Sequence, residues 1–401
     1  MKKVIKLTYI IYFASLFLLT ACHDDSDPVV GVSRTVLAYI AADNSLSSFA
    51  TSDIAEMVKG YAAIDAAGKS NLLVYVDDGN APRLVQITKG ASGNVVEKTI
   101  HNYNKQNSLD VSVMSEVFKR VFDNFPADSY GLVLWSHADG WIQSPTAVTR
   151  WFGQDVSGNT YMDISALKET LSSAPHFDFI LSDACFMQSV EVAYELRNCA
   201  NYFISSPTEI PGPGAYYVDM VPAMFKETTT KANLAKAVAA GYFDYYNNLY
   251  TGTLGSNDNW TMGVSVSVIE SDKLEALAAA TKKLLPQKIL GGANIATSDI
   301  LCYDPYRSNY YYDMDGLMKS LSFDVSAYTT WKAAFDSSVI WSGTTTKNYC
   351  TDSFGNGHMT SMAGFSGLSI YIPRGTSTSN LNTFYRTYEW YTDGGWSDTG
   401  W

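Results

Sequence analysis

The 401-residue sequence is short of charge, at 17%, and shorter still of cations: 28 Lys and Arg face 40 Asp and Glu, a net charge of −12. Nucleic-acid binding needs a basic footprint, and this composition argues against one. An acidic surface instead attracts cationic substrates, modestly and at low salt. Cysteine is scarce too, with five in the chain and no Cys-x-x-Cys pair, so neither a structural zinc site nor a disulfide framework is expected. There is no heptad run, low-complexity tract or convincing internal repeat. Past residue 21 no apolar stretch reaches the ~20 residues of a membrane span. What is there is globular composition, 46% hydrophobic, enough for one large domain or two ordinary ones.

The first residues read as a targeting segment. Lys2, Lys3 and Lys6 precede an apolar run, "YIIYFASLFLLTA", that ends at Ala21. A transmembrane anchor is the alternative, but the run is short and ends on a small residue. Leu19-Thr20-Ala21-Cys22 resembles a bacterial lipoprotein cleavage box, in which Cys22 becomes the lipidated N-terminus. Residues 1–21 are then the signal peptide and 22–33, with "HDDSDP", an acidic tether. Loss of the three leader lysines takes the net charge from −12 to −15. The expected location is the cell envelope, with membrane contact only through the lipid. Cys185, Cys199, Cys302 and Cys350 remain, and with Cys185 free at most one disulfide can form.

Beyond the tether, apolar runs alternate with helical patterns. Strands are expected at 35–41, 71–77, 130–136, 177–183, 201–206, 262–269 and 367–373. These runs are rich in β-branched and aromatic residues and mostly continuous, as in strands buried on both faces. Helices are expected at 51–64, 111–124, 163–174, 187–197, 231–249 and 272–286, and a hairpin at 84–100. The alternation predicts an α/β fold with a largely parallel sheet flanked by helices. A core over 34–254 and an aromatic-rich C-terminal subdomain over 255–401, packed on it, are expected. "GLSIYIP" (367–373) is a candidate to rejoin the main sheet.

Functional residues of an open α/β sheet gather at the carboxyl ends of its strands. "YGLVLWSHADGW" delivers His137 at one such end, and "FILSDACFMQSVEVAYEL" delivers Asp183-Ala184-Cys185 at another. On parallel neighbours, His137 and Cys185 face one cleft. Cys-His is the minimal arrangement for thiolate catalysis, and a helix starting directly after Cys185 lends its dipole to the sulfur. The plainer alternative is a small buried thiol and a satisfied core histidine.

Those two blocks resemble the clostripain family of cysteine peptidases, in the caspase-like clan. So do "YIAADNSLSSFATSDIAEM" (39–57), "YFISSPTEIPGPGAYY" (202–217), "YDMDGLMKSL" (312–321) and "GLSIYIP", in the family's order over roughly residues 34–375. The resemblance implies a caspase-like sandwich, with Cys185 as nucleophile and His137 as general acid/base. It further implies an oxyanion hole from the N–H groups of Cys185 and Ala138. The family pattern is His-Gly-x-Gly-Trp, whereas this chain reads His137-Ala138-Asp139-Gly140-Trp141. If position 138 needs positive φ, alanine there is strained.

Asp183, two residues before the cysteine, is either the carboxylate of a pocket for Arg or Lys or the cap of the following helix. The resemblance favours the pocket and so peptide substrates with basic residues. Glu209 and Asp219 are candidates for a second carboxylate. Self-cleavage between the two blocks is common in the family, and Arg150 ends a loop-like run, "SPTAVTR". No cofactor is expected; calcium enters only through the resemblance, since Asp77-Asp78 reads as turn chemistry and no EF-hand spacing is present. Two rivals compete with a lipid-anchored endopeptidase: a pseudo-peptidase of the same fold, and a glycan-binding lipoprotein suggested by the leader and the 27 Tyr and nine Trp.

Overall fold

A computed structural model describes residues 33–64, 69–142, 152–285, 295–322, 324–373 and 379–399. The strands are β1 (Arg34–Ala41), β2 (Ser70–Asp77), β3 (Arg83–Lys89), β4 (Val95–Asn102), β5 (Ser129–Trp135), β6 (Phe152–Asp155), β7 (Thr160–Met162), β8 (Phe177–Asp183), β9 (Ala200–Ser205), β10 (Ser265–Glu270), β11 (Tyr311–Asp313), β12 (Val339–Thr344), β13 (Lys347–Thr351), β14 (Gly357–Ser361) and β15 (Ser369–Tyr371). Nine of them form one sheet in the order β12-β10-β9-β8-β5-β1-β2-β3-β4. The central five, β9-β8-β5-β1-β2, are parallel. Antiparallel pairs extend both edges: β3 and β4 beyond β2, and β10 and β12 beyond β9.

Every residue of β1 and β8 is buried. Successive side chains of a strand point to opposite faces. In β1, Leu37 and Tyr39 accordingly join one hydrophobic core, and Val36, Ala38 and Ile40 the other. Helices α1 (Ser47–Ala62), α2 (Val111–Asn124), α3 (Ile164–Ser172), α4 (Val190–Leu196), α5 (Tyr217–Met224) and α6 (Lys231–Leu249) cover the two faces. Those numbered α2, α3 and α4 pack on the first core, and α1, α5 and α6 on the second. Side chains of Asp110, Asp163, Ser189 and Thr230 cap four of these helices by accepting from early backbone N–H groups.

The chain after residue 254 does two things. It supplies β10 and β12 to the main sheet, and it adds a further layer over the first core. That layer holds an aromatic cluster in which Trp141 meets Tyr371, Phe384, Tyr385 and Tyr388 at centroid distances of 5.1–6.2 Å. The expected return of "GLSIYIP" to the main sheet is not what the structure has. Its strand shortens to β15 and pairs with β11 in a separate two-stranded sheet. The apolar run is continuous because β15 is buried beneath the aromatic cluster, with Ser369 N–H bonded to the Gln188 carbonyl at 3.0 Å. The edge position belongs to β12, whose half-buried, mixed sequence carries little strand signal.

Candidate active site

Strands β5 and β8 are parallel neighbours, and Trp135 is paired with Asp183 in their register. His137 and Cys185 therefore leave the sheet at equal height, two residues past that pair. Both line one cleft of about 500 Å³, together with Ala138, Asp183, Glu209 and Arg307.

The histidine loop is built on the turn that follows β1. Ser136 Oγ donates to the Ala41 carbonyl at 2.6 Å. Asn44 Nδ2 donates to the carbonyls of Ala41 and Gln154 at 3.0 and 2.8 Å, and Asn44 Oδ1 accepts from Leu46 N–H at 2.9 Å. This brings Ser45 Oγ to 2.8 Å from His137 Nε2. Burial lowers the His137 pKa, so the imidazole is neutral at pH 7.

Position 138 does not need glycine. Among the described residues the non-glycine positions with positive φ are Asn159, Phe186 and Asn309, so Ala138 carries no left-handed strain. Position 140 is different. Gly140 has φ +60°, and a Cβ there would stand 2.4 Å from Tyr311 Oη and 2.7 Å from the Phe186 carbonyl. The second glycine of the motif is thus required by space and backbone, and the first is not.

Cys185 lies in a turn. The helix expected directly after it begins only at Val190 and is capped by Ser189, so no helix dipole acts on the sulfur at close range. Residues 184–188 instead bond to the loop after β9: Phe186 N–H to the Thr208 carbonyl and Gln188 N–H to that of Ser206, each at 3.0 Å. Ile210 N–H points at Cys185 Sγ, 3.4 Å away. Burial, and then the Glu209 carboxylate, push the thiol up to about 12. The thiol is neutral at rest, as is the His137 imidazole that lines the same cleft.

Asp183 does not cap α4; Ser189 does. Its carboxylate sits at the cleft with 2% exposure. Oδ2 accepts from Ala215 N–H at 2.9 Å and Tyr217 Oη at 2.8 Å, and Oδ1 from Tyr242 Oη at 2.8 Å. Gly214, at φ +70°, lets the Pro-Gly loop lie against it, since a Cβ there would come within 2.7 Å of Oδ2. Behind stands Asp53, itself 2% exposed, whose carboxyl burial and the neighbouring Asp183 push up to about 9.

Glu209 also lines the cleft, but Thr351 already holds it, donating from N–H at 2.9 Å and from Oγ1 at 2.6 Å. Asp219 does not belong to the cleft. It is exposed on the first turn of α5, because the chain turns away after Tyr216. The structure adds three residues to the sequence-derived set. Ser45 had a signal, in the Asp-Asn-Ser-Leu turn at a strand end. Asp139 and Arg307, which pair at 3.3 Å, had none that spacing could reveal.

Cys22 and Arg150 lie outside the described residues. Among the described residues no disulfide joins Cys185, Cys199, Cys302 or Cys350 to one another. Asp77 accepts from Ser108 Oγ and Gly79 N–H, and Asp78 pairs with Arg83. Among the described residues no group of three or more His, Cys, Asp or Glu side chains is arranged to hold a metal ion. No described helix is long and apolar enough to cross a membrane.

Comparison with known proteins decides the family: the clostripain family model matches residues 38–401. The chain belongs to the clostripain family. Clostripain of Hathewaya histolytica is 27% identical over 217 residues, which span 46% of this chain and 40% of that longer protein. A secreted C11 cysteine protease from Bacteroides thetaiotaomicron, solved with an irreversible peptide inhibitor, is 49% identical. It superposes with a TM-score of 0.84 over 91% of this chain and 99% of its own. An inactive zymogen C11 protease from Parabacteroides distasonis is 32% identical, with a TM-score of 0.75 over 90% and 98%. The caspase-like sheet expected from the sequence is the fold of these clostripain-family relatives.

Proposed function

We propose that this clostripain-family cysteine peptidase cleaves after Arg or Lys, with Cys185 as nucleophile and His137 as general acid/base. The observation that carries this is the shared cleft at the ends of β5 and β8. In the proposed reaction Cys185 Sγ attacks the peptide carbonyl carbon as its proton passes to His137. His137 then protonates the leaving amine, the C–N bond breaks and a thioester remains. Water adds to the thioester with proton transfer through His137, which releases the new carboxylic acid and restores the thiol.

The neutral resting pair suits this order, because an uncharged imidazole can accept the thiol proton when substrate excludes water. Among the described residues no backbone carbonyl outside the regular elements takes the N–H of Ala138 or Cys185, which supports their proposed role toward the developing oxyanion. That Ala138 lacks positive φ speaks against an impaired peptidase. Asp183 at the cleft wall supplies the charge for a basic side chain. The sequence adds a lipid anchor at Cys22 in the cell envelope and self-cleavage after Arg150.

Reporter peptides ending in Arg, Lys or Asp test the reading. Hydrolysis of the first two, lost in Cys185→Ala, supports it. Equal or exclusive cleavage after Asp contradicts the specificity, and no cleavage by either protein contradicts the activity.

A further inference from the structure

The cleft is lined by Asp139, Asp183, Glu209 and Asp352, and against these carboxylates stands one permanently cationic side chain among the described residues, Arg307. The loop that carries it is shaped from within. Asp304, 3% exposed, accepts from the N–H groups of Tyr310 and Tyr311, and its carbonyl accepts from those of Arg307 and Asn309. Asn309 completes the turn at φ +51°.

The guanidinium reaches three separate parts of the site. Its Nη1 donates to Asp139 Oδ1 at 3.3 Å, and Asp139 is two residues past His137. The same nitrogen is 4.0 Å from Glu209 Oε1, next to Ile210, whose N–H points at Cys185 Sγ. Its Cζ lies 6.0 Å from the centroid of Phe186, the residue directly after Cys185. Phe186 holds φ +58°, so the turn that presents the thiol is itself constrained.

We propose that Arg307 is a positioning residue of the reaction: it neutralises Asp139 and Glu209 beside Cys185 and thereby governs how readily the thiol ionises. The proposal rests on the reading of Cys185 as nucleophile. A carboxylate near a thiol disfavours the thiolate, and an adjacent guanidinium opposes that effect. Of the other ionisable groups at the cleft, His137 is neutral at rest, Asp183 is occupied by three donors, and Asp352 pairs with His358 at 3.0 Å. None of them offsets Asp139 and Glu209 as Arg307 does. Arg307 meets Asp139 and Glu209 inside the site and also feels the Asp304 carboxylate of its own loop, so its charge is spent within the protein.

The test is the pH dependence of iodoacetamide alkylation at Cys185, read by peptide mass mapping in the full chain. Arg307→Gln is expected to raise the apparent thiol pKa by about one unit, slowing alkylation about tenfold below that pKa. Arg307→Lys, which keeps the charge, should stay within about threefold of the unaltered protein. Adding Glu209→Gln to Arg307→Gln should recover most of the lost rate. A folded Arg307→Gln with an unshifted profile overturns the proposal, and a raised KM alone in that variant would make Arg307 a substrate contact instead. If Arg307→Gln does not fold, Glu209→Gln alone decides: a lowered apparent pKa supports the proposal and an unchanged one overturns it. An unreactive Cys185 in the unaltered protein overturns the nucleophile reading and this one together.

Discussion

Ser45 Oγ stands 2.8 Å from His137 Nε2, across the crevice between the ends of β1 and β5. The sheet reverses its strand order here: β2 follows β1 on one side, and β5, β8 and β9 continue on the other. Such switch points open a crevice at strand carboxyl ends. The Asp-Asn-Ser-Leu turn is therefore more than a family signature. Asn44 ties it to the histidine loop, and Ser45 orients the imidazole.

Replacing Ser45 with Ala should lower kcat about two- to tenfold, the range of one neutral hydrogen bond, with KM little changed. Steady-state kinetics on an Arg-terminated reporter checks this. Asn44→Ala should cost more, in stability as well as rate, because Asn44 bridges Ala41, Leu46 and Gln154.

Asp183→Asn should lower kcat/KM for Arg and Lys peptides about ten- to a hundredfold, as expected for loss of a charge-assisted contact of about 1.5–3 kcal/mol. It should also lower the melting temperature, because the carboxylate accepts from Ala215, Tyr217 and Tyr242 and an amide cannot accept all three in the same way. The diagnostic quantity is the ratio of rates on Arg and Gln peptides, which does not depend on the fraction folded. A ratio unchanged from the unaltered protein would leave Asp183 with only a structural role.

Asp53 links pH to stability. Its folded-state pKa is raised to about 9 from 3.8, first by burial and then by Asp183. The folded protein thus holds a proton that the unfolded chain has released, and stability falls as pH rises between these two values. Asp53→Asn removes this contribution. Denaturant titrations from pH 5 to 8 should show a shallower decline in the variant, by up to about 1.4 kcal/mol per pH unit.

N-terminal sequencing of the purified protein tests processing. A new terminus at Trp151, absent from Cys185→Ala, is expected if Arg150 is a self-cleavage site. A fully active protein in one piece would show that the cut is not needed.

The parallel strands are legible in the sequence because burial on both faces makes them continuous apolar runs, and β1, β5 and β8 match their expected spans within a residue. Edge strand β12 is not legible, since a half-buried strand carries no such run. "GLSIYIP" shows the converse: its apolar run reports burial, not membership of the main sheet. At the site, His137, Cys185 and Asp183 are readable as residues at strand ends. Arg307 is not, because its place depends on a loop 122 residues after Cys185 folding back over the cleft. The late start of α4 also escapes the sequence, because apolar residues over 186–187 fit helix and turn equally well.

The central claim is that Cys185 attacks a peptide carbonyl after a basic residue. A peptide ending in Arg and carrying a thiol-reactive electrophile, incubated with the full chain and mapped by mass spectrometry, tests it most directly. The account predicts stoichiometric adduct on Cys185, none on Cys199, Cys302 or Cys350, and sharply slower labelling in His137→Ala. Adduct on another cysteine, or labelling of Cys185 that an Asp-terminated analogue matches in rate, would contradict it.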